Sequence, residues 1–436
     1  MFTIEGKYTT ATVFADQVEA SCIAQITGMV NHPAFTEPVA IMPDTHAGAG
    51  SVIGFTMPLG DAIIPAIVGV DIGCGVLAAR VPWRSDISLE KLDRAIRDRV
   101  PFGHEVRSDA NYELLEDDEF FEGLTVQQSY LRTRLREAFP SIEMPRPAPA
   151  SLAAFADLCK RVGMKFGRAQ RSIGSLGGGN HFIEVARGAD PETAWVLIHS
   201  GSRQLGEKIC KYHQGLAAKQ LLDFKTGEYQ SEIEVIRRSS PNHEIDKRIK
   251  KYKETQRALV AVPSGLESLR GTDLVAYILD MAFAQEYAAL NRAAILREVR
   301  EAIGVLDEIE VVESVHNYID LADLIIRKGA IRAKRNERLV IPFNMRDGSW
   351  ICRGKGNPDW NCSAPHGAGR LMSRSQAKRE LDPVAARAAM AGIYTSCIPL
   401  DECPDAYKSA ASIRAAIGPT VEVIEEIRPI LNLKAE

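Results

Sequence analysis

The chain has 436 residues, 45% of them hydrophobic and 25% charged, with a net charge of -4. That is the balance of a globular protein with a sizeable core, and it gives no sign of the strongly basic surface of a dedicated nucleic-acid binder. No apolar run approaches the roughly 18 residues of a membrane helix. The N-terminus lacks the basic start and apolar core of a signal peptide. The eight cysteines include no CxxC pair, so a cytoplasmic protein with reduced thiols and no membrane partner is expected.

Residues 1–80 read as strand-rich and punctuated by glycine, with the apolar run AIIPAI leading like a strand into VGVDIGCGV. Helical spacing follows from Leu89 and over 125–138 and 151–169. The proline-rich stretch 144–151 is a possible connector, but chemistry-bearing motifs on both sides belong together, so residues 1–436 are expected to form one domain. HFIEVA and AWVLIHSGS have strand character, and a long helix is predicted over 272–302. The last third alternates short strands with glycine-rich loops. Strands and helices interleave without regular βαβ alternation, which predicts an α+β fold. Two stretches, 246–257 (DKRIKKYKETQR) and 327–338 (RKGAIRAKRNER), are locally basic. They are either solvated helix faces or phosphate contacts.

Metal-capable or nucleophilic residues recur in glycine-rich or strand-end settings. These are PDTHAGAG (43–50), DIGC (71–74), GGGNH (177–181), IHSGSR (198–203), VHNYID (315–320) and APHGAGR (364–370). A lone histidine at a strand end is commonly a hydrogen-bonded core residue, and a lone buried cysteine a small apolar filler. Asp71 tips the balance toward a site, because a buried carboxylate costs several kcal/mol unless a cation or donors stand beside it. Glycine lets backbone approach a ligand closely, and SLGGGNH forms either a nest of N–H groups or a plain turn. Walker A, GxGxxG, HExxH and zinc-finger spacings are absent.

Taken together in sequence order, VGVDIGCG, SLGGGNHFIEV, HSGSR, HN at 316–317 and SAPHGAGRLMSR resemble the RtcB family of RNA-splicing ligases. The resemblance runs from about Met42 to the terminal IRPILNLK. It implies a compact α+β layering of mixed sheets and helices around one central metal pocket. The implied reaction joins RNA ending in a 2′,3′-cyclic phosphate or 3′-phosphate to a 5′-hydroxyl, using GTP and two Mn2+ ions, in RNA repair or tRNA splicing. By the same resemblance Asp71, Cys74, His181, His199 and His316 are metal ligands, with Cys74 shared between two ions. His366 is the histidine that becomes guanylylated. Asn180 contacts the nucleotide phosphates, while Glu184, Gly367, Tyr407 and Lys434 belong to the nucleotide site. Arg203 and Arg370 match arginines that bind RNA or triphosphate oxygens, for which a bidentate guanidinium is suited. His46 is expected behind the ligands, orienting one of them. An archease-type activator is a possible partner.

Two alternatives stand beside this reading: a two-metal phosphodiesterase or phosphatase without a nucleotidyl intermediate, and a catalytically silent RNA-end binding protein. The chain also departs from the family. After IP, where small residues are usual, it reads IPFNMRDGSWICRGKGNPDW (341–360), which marks a divergent branch. Phe343, Asn344 and Arg346 add bulk on the nucleotide or RNA side, and Trp350 and Trp360 are candidates for stacking on bases or for burial. Cys22, Cys159 and Cys210 read as core, and Cys352, Cys362, Cys397 and Cys403 have no metal spacing. His32, His104 and His243 lie in polar contexts, and His213 has no assigned role.

Overall fold

A computed structural model describes residues 1–16, 18–109, 118–146 and 149–435. Two sheets carry the molecule, the first mixed through its one parallel pair, Thr10–Val13 with Val39–His46, and the second antiparallel where mixed sheets were expected. The first has six strands in the order Phe2–Glu5, Thr10–Val13, Val39–His46, Ile53–Pro58, Ile325–Lys328 and Asn317–Ile319. The second has seven, in the order Glu310–Val315, Gly75–Pro82, Thr193–Ser200, Phe182–Arg187, Val421–Leu433, Gly348–Gly354 and Arg338–Asn344. All its pairings are antiparallel. The expected α+β class is what the chain adopts. Gly75–Pro82 pairs directly with Thr193–Ser200, so the sheet is continuous across the proline-rich stretch 144–151, of which residues 147 and 148 lie outside those described. Among the described residues no helix is long and apolar enough to cross a membrane.

The helix beginning at Leu89 spans Leu89–Arg99, with Ser88 Oγ accepting from the Lys91 N–H. The helix read at 125–138 extends over Asp118–Ala138. The predicted 151–169 helix is two pieces, Leu152–Val162 and Phe166–Ser172. Gly163 takes a left-handed conformation at φ 71° and ends the first piece, a C-terminal cap that β-branched and bulky residues resist. AIIPAI is a strand only at Ala62–Ile63, after which Pro65 opens the helical turn Pro65–Val68. Helix Ala20–Val30, within the strand-rich region, was not foreseen. Its Cys22, Ile26, Met29 and Val30 are buried in the core of the first sheet.

The helix predicted over 272–302 spans Gly271–Ile303 and runs between the two sheets' cores. Its centre is polar where an amphipathic pattern calls for apolar residues, because Asn291 and Arg292 are completely buried there. Asn291 Oδ1 accepts from the Gly174 and Ser175 N–H groups at 2.8 and 3.2 Å, and its Nδ2 donates to Ser200 Oγ and the Gly201 carbonyl. Arg292 donates to the Gly73 and Ser200 carbonyls at 2.7 and 2.9 Å and pairs with Glu313 at 2.7 Å. One helix turn thereby fastens the loops that carry Cys74, His181 and His199.

The two basic stretches part company. Residues 327–338 are neither a helix face nor an open phosphate surface. Arg327 is fully buried and pairs with Asp320, Arg332 with Asp320 and Glu337, Lys334 with Asp323, and Arg338 with Glu310. Residues 246–257 lie on helix Ile245–Val260, where Lys247, Lys250, Lys251 and Lys253 are exposed and make no ion pair among the described residues.

Asn291→Ala orphans several buried donors and acceptors, each worth about 1–3 kcal/mol. We expect it to lower unfolding free energy by about 2–4 kcal/mol in urea titrations, and to loosen the loops at Gly174 and Gly201 in amide hydrogen exchange before the sheets.

Candidate metal centre

The site begins where the helical turn Pro65–Val68 runs into strand Gly75–Pro82. The intervening Asp71–Cys74 turn is closed by the Cys74 N–H donating to the Asp71 carbonyl. Gly73 sits at φ +73°, and a Cβ there would lie 2.9 Å from Gln285 Cα on the long helix, so no other residue fits. His199 is one residue from the end of its strand and pairs in register with Val76, while Phe182, next to His181, pairs with His199. His316 follows strand Glu310–Val315, and its N–H donates to the Cys74 carbonyl at 2.9 Å. Antiparallel pairing thus delivers four side chains from distant sequence to one corner of the second sheet.

Their reactive atoms converge. Cys74 Sγ lies 3.5 Å from His181 Nε2 and 3.3 Å from His199 Nε2. His199 Nε2 faces His316 Nε2 at 3.3 Å, and Asp71 Oδ2 faces His181 Nε2 at 2.9 Å. The far ring nitrogens have other work: Nδ1–H of His181 donates to the Leu176 carbonyl at 2.8 Å, and Nδ1–H of His199 to the Asn180 carbonyl at 3.0 Å. A carbonyl only accepts, so these bonds place the protons on Nδ1 and turn the Nε2 lone pairs inward.

Burial, and then the neighbouring imidazoles, depress His199 and His316 well below the ordinary histidine value, so both are neutral near pH 7. Burial and the adjacent Asp71 push the Cys74 thiol far up. A thiolate there requires positive charge against it. Asp71 Oδ1 is buried without a hydrogen-bond partner. Inward lone pairs, an unpartnered carboxylate oxygen, and Cys74, His181 and His199 ligand atoms all within 4.8 Å of one another fit a divalent cation.

Beyond the cluster lies a cavity of about 840 Å³, lined among others by Asp71, Cys74, His199, His316 and His366. His366 follows the short strand Ser363–Pro365, and its ring centroid is 4.9 Å from that of His316. Asp44, fully buried on strand Val39–His46 of the first sheet, accepts from His366 Nδ1–H at 2.7 Å and from the His366 backbone N–H at 3.2 Å. This leaves Nε2 of His366 with its lone pair. His46 also lines the cavity, donating from Nδ1 to the Asp44 carbonyl at 3.0 Å, and burial presses its imidazole down to about 4.

The remaining expected residues divide. Asn180, Glu184, Gly367, Arg370, Tyr407 and Lys434 line the cavity. A buried carboxylate, Glu402, gathers several of them: it accepts from Tyr407 O–H at 2.7 Å and pairs with Lys434, Arg374 and Arg370 at 3.0, 2.8 and 3.4 Å. Arg370 also stacks over the Tyr407 ring at 5.1 Å. Arg203 is not on the cavity wall. It donates to Ser175 Oγ and the Gly103 carbonyl, and lies under Gly177, where an added Cβ would meet Nη1 at 2.1 Å. It therefore buttresses the GGGNH loop.

Neither tryptophan of the divergent loop is open to a base. Trp360 is buried in a stack with Phe14 at 4.1 Å, and Trp350 is buried against Phe343 at 4.2 Å. His213 is buried with Nε2 donating to Asp280 at 2.7 Å, and His32 packs edge-on against Phe35 rather than in a polar setting. Asp44, Glu402, Asn291, Arg292 and Asn432 went unnoticed in the sequence. Asp44 was within reach, two residues from His46 in a motif already singled out.

Burial raises the Glu184 carboxyl to about 8, against help from Asn432 and Lys434. Its unfolded value is about 4.3. The folded chain then holds a proton that the unfolded chain has lost, so stability falls as pH rises from about 4.3 to 8. Glu184→Gln removes that term. The melting temperature of the ligand-free wild type, relative to this variant, should decline from pH 5 to pH 8, as read by differential scanning fluorimetry.

Residues 25–435 match the family model described as tRNA-splicing ligase RtcB. An RNA-splicing ligase RtcB of Escherichia coli K12 is 29% identical, the alignment covering 96% of this chain and 95% of the relative. RNA-splicing ligase RtcB1 of Escherichia coli strain ATCC 25922 is 30% identical with the same coverage. A tRNA-splicing ligase RtcB of Archaeoglobus fulgidus is 28% identical over 95% of this chain and 91% of its own length. With a family match over nearly all of its length and relatives aligned end to end, the chain belongs to the RtcB family.

Proposed function

We propose that this chain is an RNA ligase that joins a 2′,3′-cyclic phosphate or 3′-phosphate end to a 5′-hydroxyl end, using GTP and two manganese ions through a guanylylated His366. One observation carries the reading: His366 is held by Asp44 with its Nε2 lone pair free, beside a lone-pair cluster suited to cations. A hydrolytic two-metal site has no use for a further oriented imidazole, and a silent RNA-end binder has no use for either feature.

Nε2 of His366 attacks the α-phosphorus of GTP, forming a P–N bond as the bond to pyrophosphate breaks. Asp44 keeps the Nδ1 proton in place and stabilises the charge that grows on the ring. The 3′-phosphate oxygen then displaces the imidazole and takes the guanylyl group. The 5′-hydroxyl attacks that phosphate, a new phosphodiester forms, and GMP leaves. A cyclic phosphate is hydrolysed to the 3′-phosphate beforehand. Asp71, Cys74, His181, His199 and His316 would hold the cations, which supply charge neutralisation on the transferring phosphoryl group. The ligand types alone favour zinc over manganese in the usual affinity order, and manganese is supported by the family resemblance. The free lysines of helix Ile245–Val260 are assigned to the RNA backbone, whose binding is set by charge.

Incubation with α-labelled GTP and manganese should leave acid-labile label on the wild type and none on His366→Ala; label that survives the substitution rules out this nucleophile. Cys74→Ala should lose bound metal in elemental analysis while keeping its far-ultraviolet circular dichroism, and unchanged metal content would remove Cys74 from the ligand set. Lys250→Gln, Lys251→Gln and Lys253→Gln together should flatten the dependence of log K for RNA on log salt by about 0.7 for each phosphate no longer neutralised. An unaltered slope takes this helix off the RNA path.

A further inference from the structure

Two of the proposed steps release a proton and two do not. His366 and the anionic 3′-phosphate attack through lone pairs. The water that opens a cyclic phosphate and the 5′-hydroxyl that seals the strand each carry a proton that leaves, and a positioned base removes it. The four carboxyl side chains lining the cavity are poorly suited to that task. Asp71 belongs to the ligand cluster, and Glu402 already accepts from Tyr407, Lys434, Arg374 and Arg370. Glu184 is 2% exposed and holds its own proton near pH 7, and Glu19 stands in bulk water.

Of the four imidazoles on the cavity wall, only His46 is outside both the ligand cluster and the guanylylation step. Its Nδ1–H is donated to the Asp44 carbonyl at 3.0 Å, so Nε2 carries the lone pair. Nε2 has no partner among the described residues, yet it is open rather than sealed in, for His46 is half-buried on the cavity wall. The segment that carries it is pinned from both sides. Lys408 Nζ donates to the Pro43 and Thr45 carbonyls at 3.3 and 2.8 Å. Gln25, on helix Ala20–Val30, donates to the Gly48 carbonyl at 2.7 Å and accepts from the Gly48 N–H at 3.2 Å. Asp44 thus aims two rings, His366 through its carboxylate and His46 through its main chain.

We propose that His46 is a catalytic residue of the sealing step: its Nε2 takes the proton of the RNA 5′-hydroxyl as that oxygen attacks the activated 3′-phosphate. This rests on the ligase reading above. The O–H bond breaks as an N–H bond forms on the ring. The oxygen bonds to the 3′-phosphorus, and the bridge to the guanylyl group breaks, its electron pair leaving with GMP. His46 then returns the proton to water. Burial, and then His366, keep the ring neutral in the ligand-free chain, and phosphate anions drawn up to it favour the protonated form that the step creates.

The test separates the steps in single turnover with manganese, α-labelled GTP, an RNA ending in 3′-phosphate and a 5′-hydroxyl strand. His46→Ala should carry label on His366 and pass it to the 3′-phosphate as the wild type does. Guanylylated RNA should then accumulate, because sealing slows by about 10²- to 10⁴-fold, the usual effect of losing a general base. Imidazole added to the buffer should restore part of that rate, an effect that a merely structural role would not give. Unaltered sealing by His46→Ala overturns the assignment. Loss of label together with sealing also overturns it, since His46 then serves His366. Should His46→Ala fail to fold, His46→Gln, which is of similar size and carries no base, takes its place with the same expectations. A wild type that takes up no label overturns the ligase reading, and this assignment with it.

Discussion

A cluster of buried imidazole nitrogens and one thiol sulfur, packed within hydrogen-bond distance of one another, is the constraint from which the rest of this structure follows. His199 and His316 meet through their Nε2 atoms at 3.3 Å, with Cys74 sulfur equally close to His199. Such an arrangement is stable in an apolar interior only where a proton or a cation stands between the paired atoms. The surroundings are organised to keep it from relaxing. Backbone carbonyls of Leu176 and Asn180 hold the far side of two rings. The Asn291–Arg292 pair, buried in a helix that is otherwise apolar at its core, prevents the supporting loops from drifting apart. Glycine at positions 73 and 201 is a consequence of the same crowding, since a side chain at Gly201 would run into the Asp71 carboxylate.

The two sheets have separate duties around the cavity. The second carries the candidate ligand cluster and, on Phe182–Arg187 and the neighbouring Val421–Leu433, Glu184 and Asn432, with Lys434 just past the strand end. The first supplies Asp44, which hydrogen-bonds His366 directly. Between them Glu402 binds three cationic side chains and a phenol at once, so the positive charge on that wall is fixed in place by one carboxylate. Asp44 orients and Glu402 gathers, and neither needs to touch a reacting atom.

The legible part of the sequence was the part with local signals. Helix periodicity located Leu89–Arg99 and Gly271–Ile303 almost to the residue, and glycine-flanked histidines and Asp71 marked the loops that converge. What stayed hidden depends on long-range partners. Asp44 looks like any acidic residue beside a proline until the fold sets it against His366. Asn291 and Arg292 read as a break in an apolar stripe rather than as an anchor. The 327–338 stretch is basic in one dimension but largely paired in three, because Glu310, Asp320 and Asp323 join its own Glu337 against four of its six cations. Trp350 and Trp360 suggested base stacking by type alone, whereas Phe343 and Phe14 had already claimed their faces. Gly163 divided one predicted helix into two, a break that periodicity overlooks when the flanking residues share a hydrophobic face.

The pairing of Asp44 with His366 spans 322 residues, and the cysteine at 74 waits for His199, 125 residues farther on. During synthesis, then, the thiol emerges long before the imidazoles that will share its burden, and the pocket is finished only when the final strand, ending at Leu433, slots between its neighbours. Completion of the candidate centre is thereby a late event in the life of a nascent polypeptide. Chains released early, or nicked anywhere between the outermost contributors, would carry the parts of the centre without the means to close it.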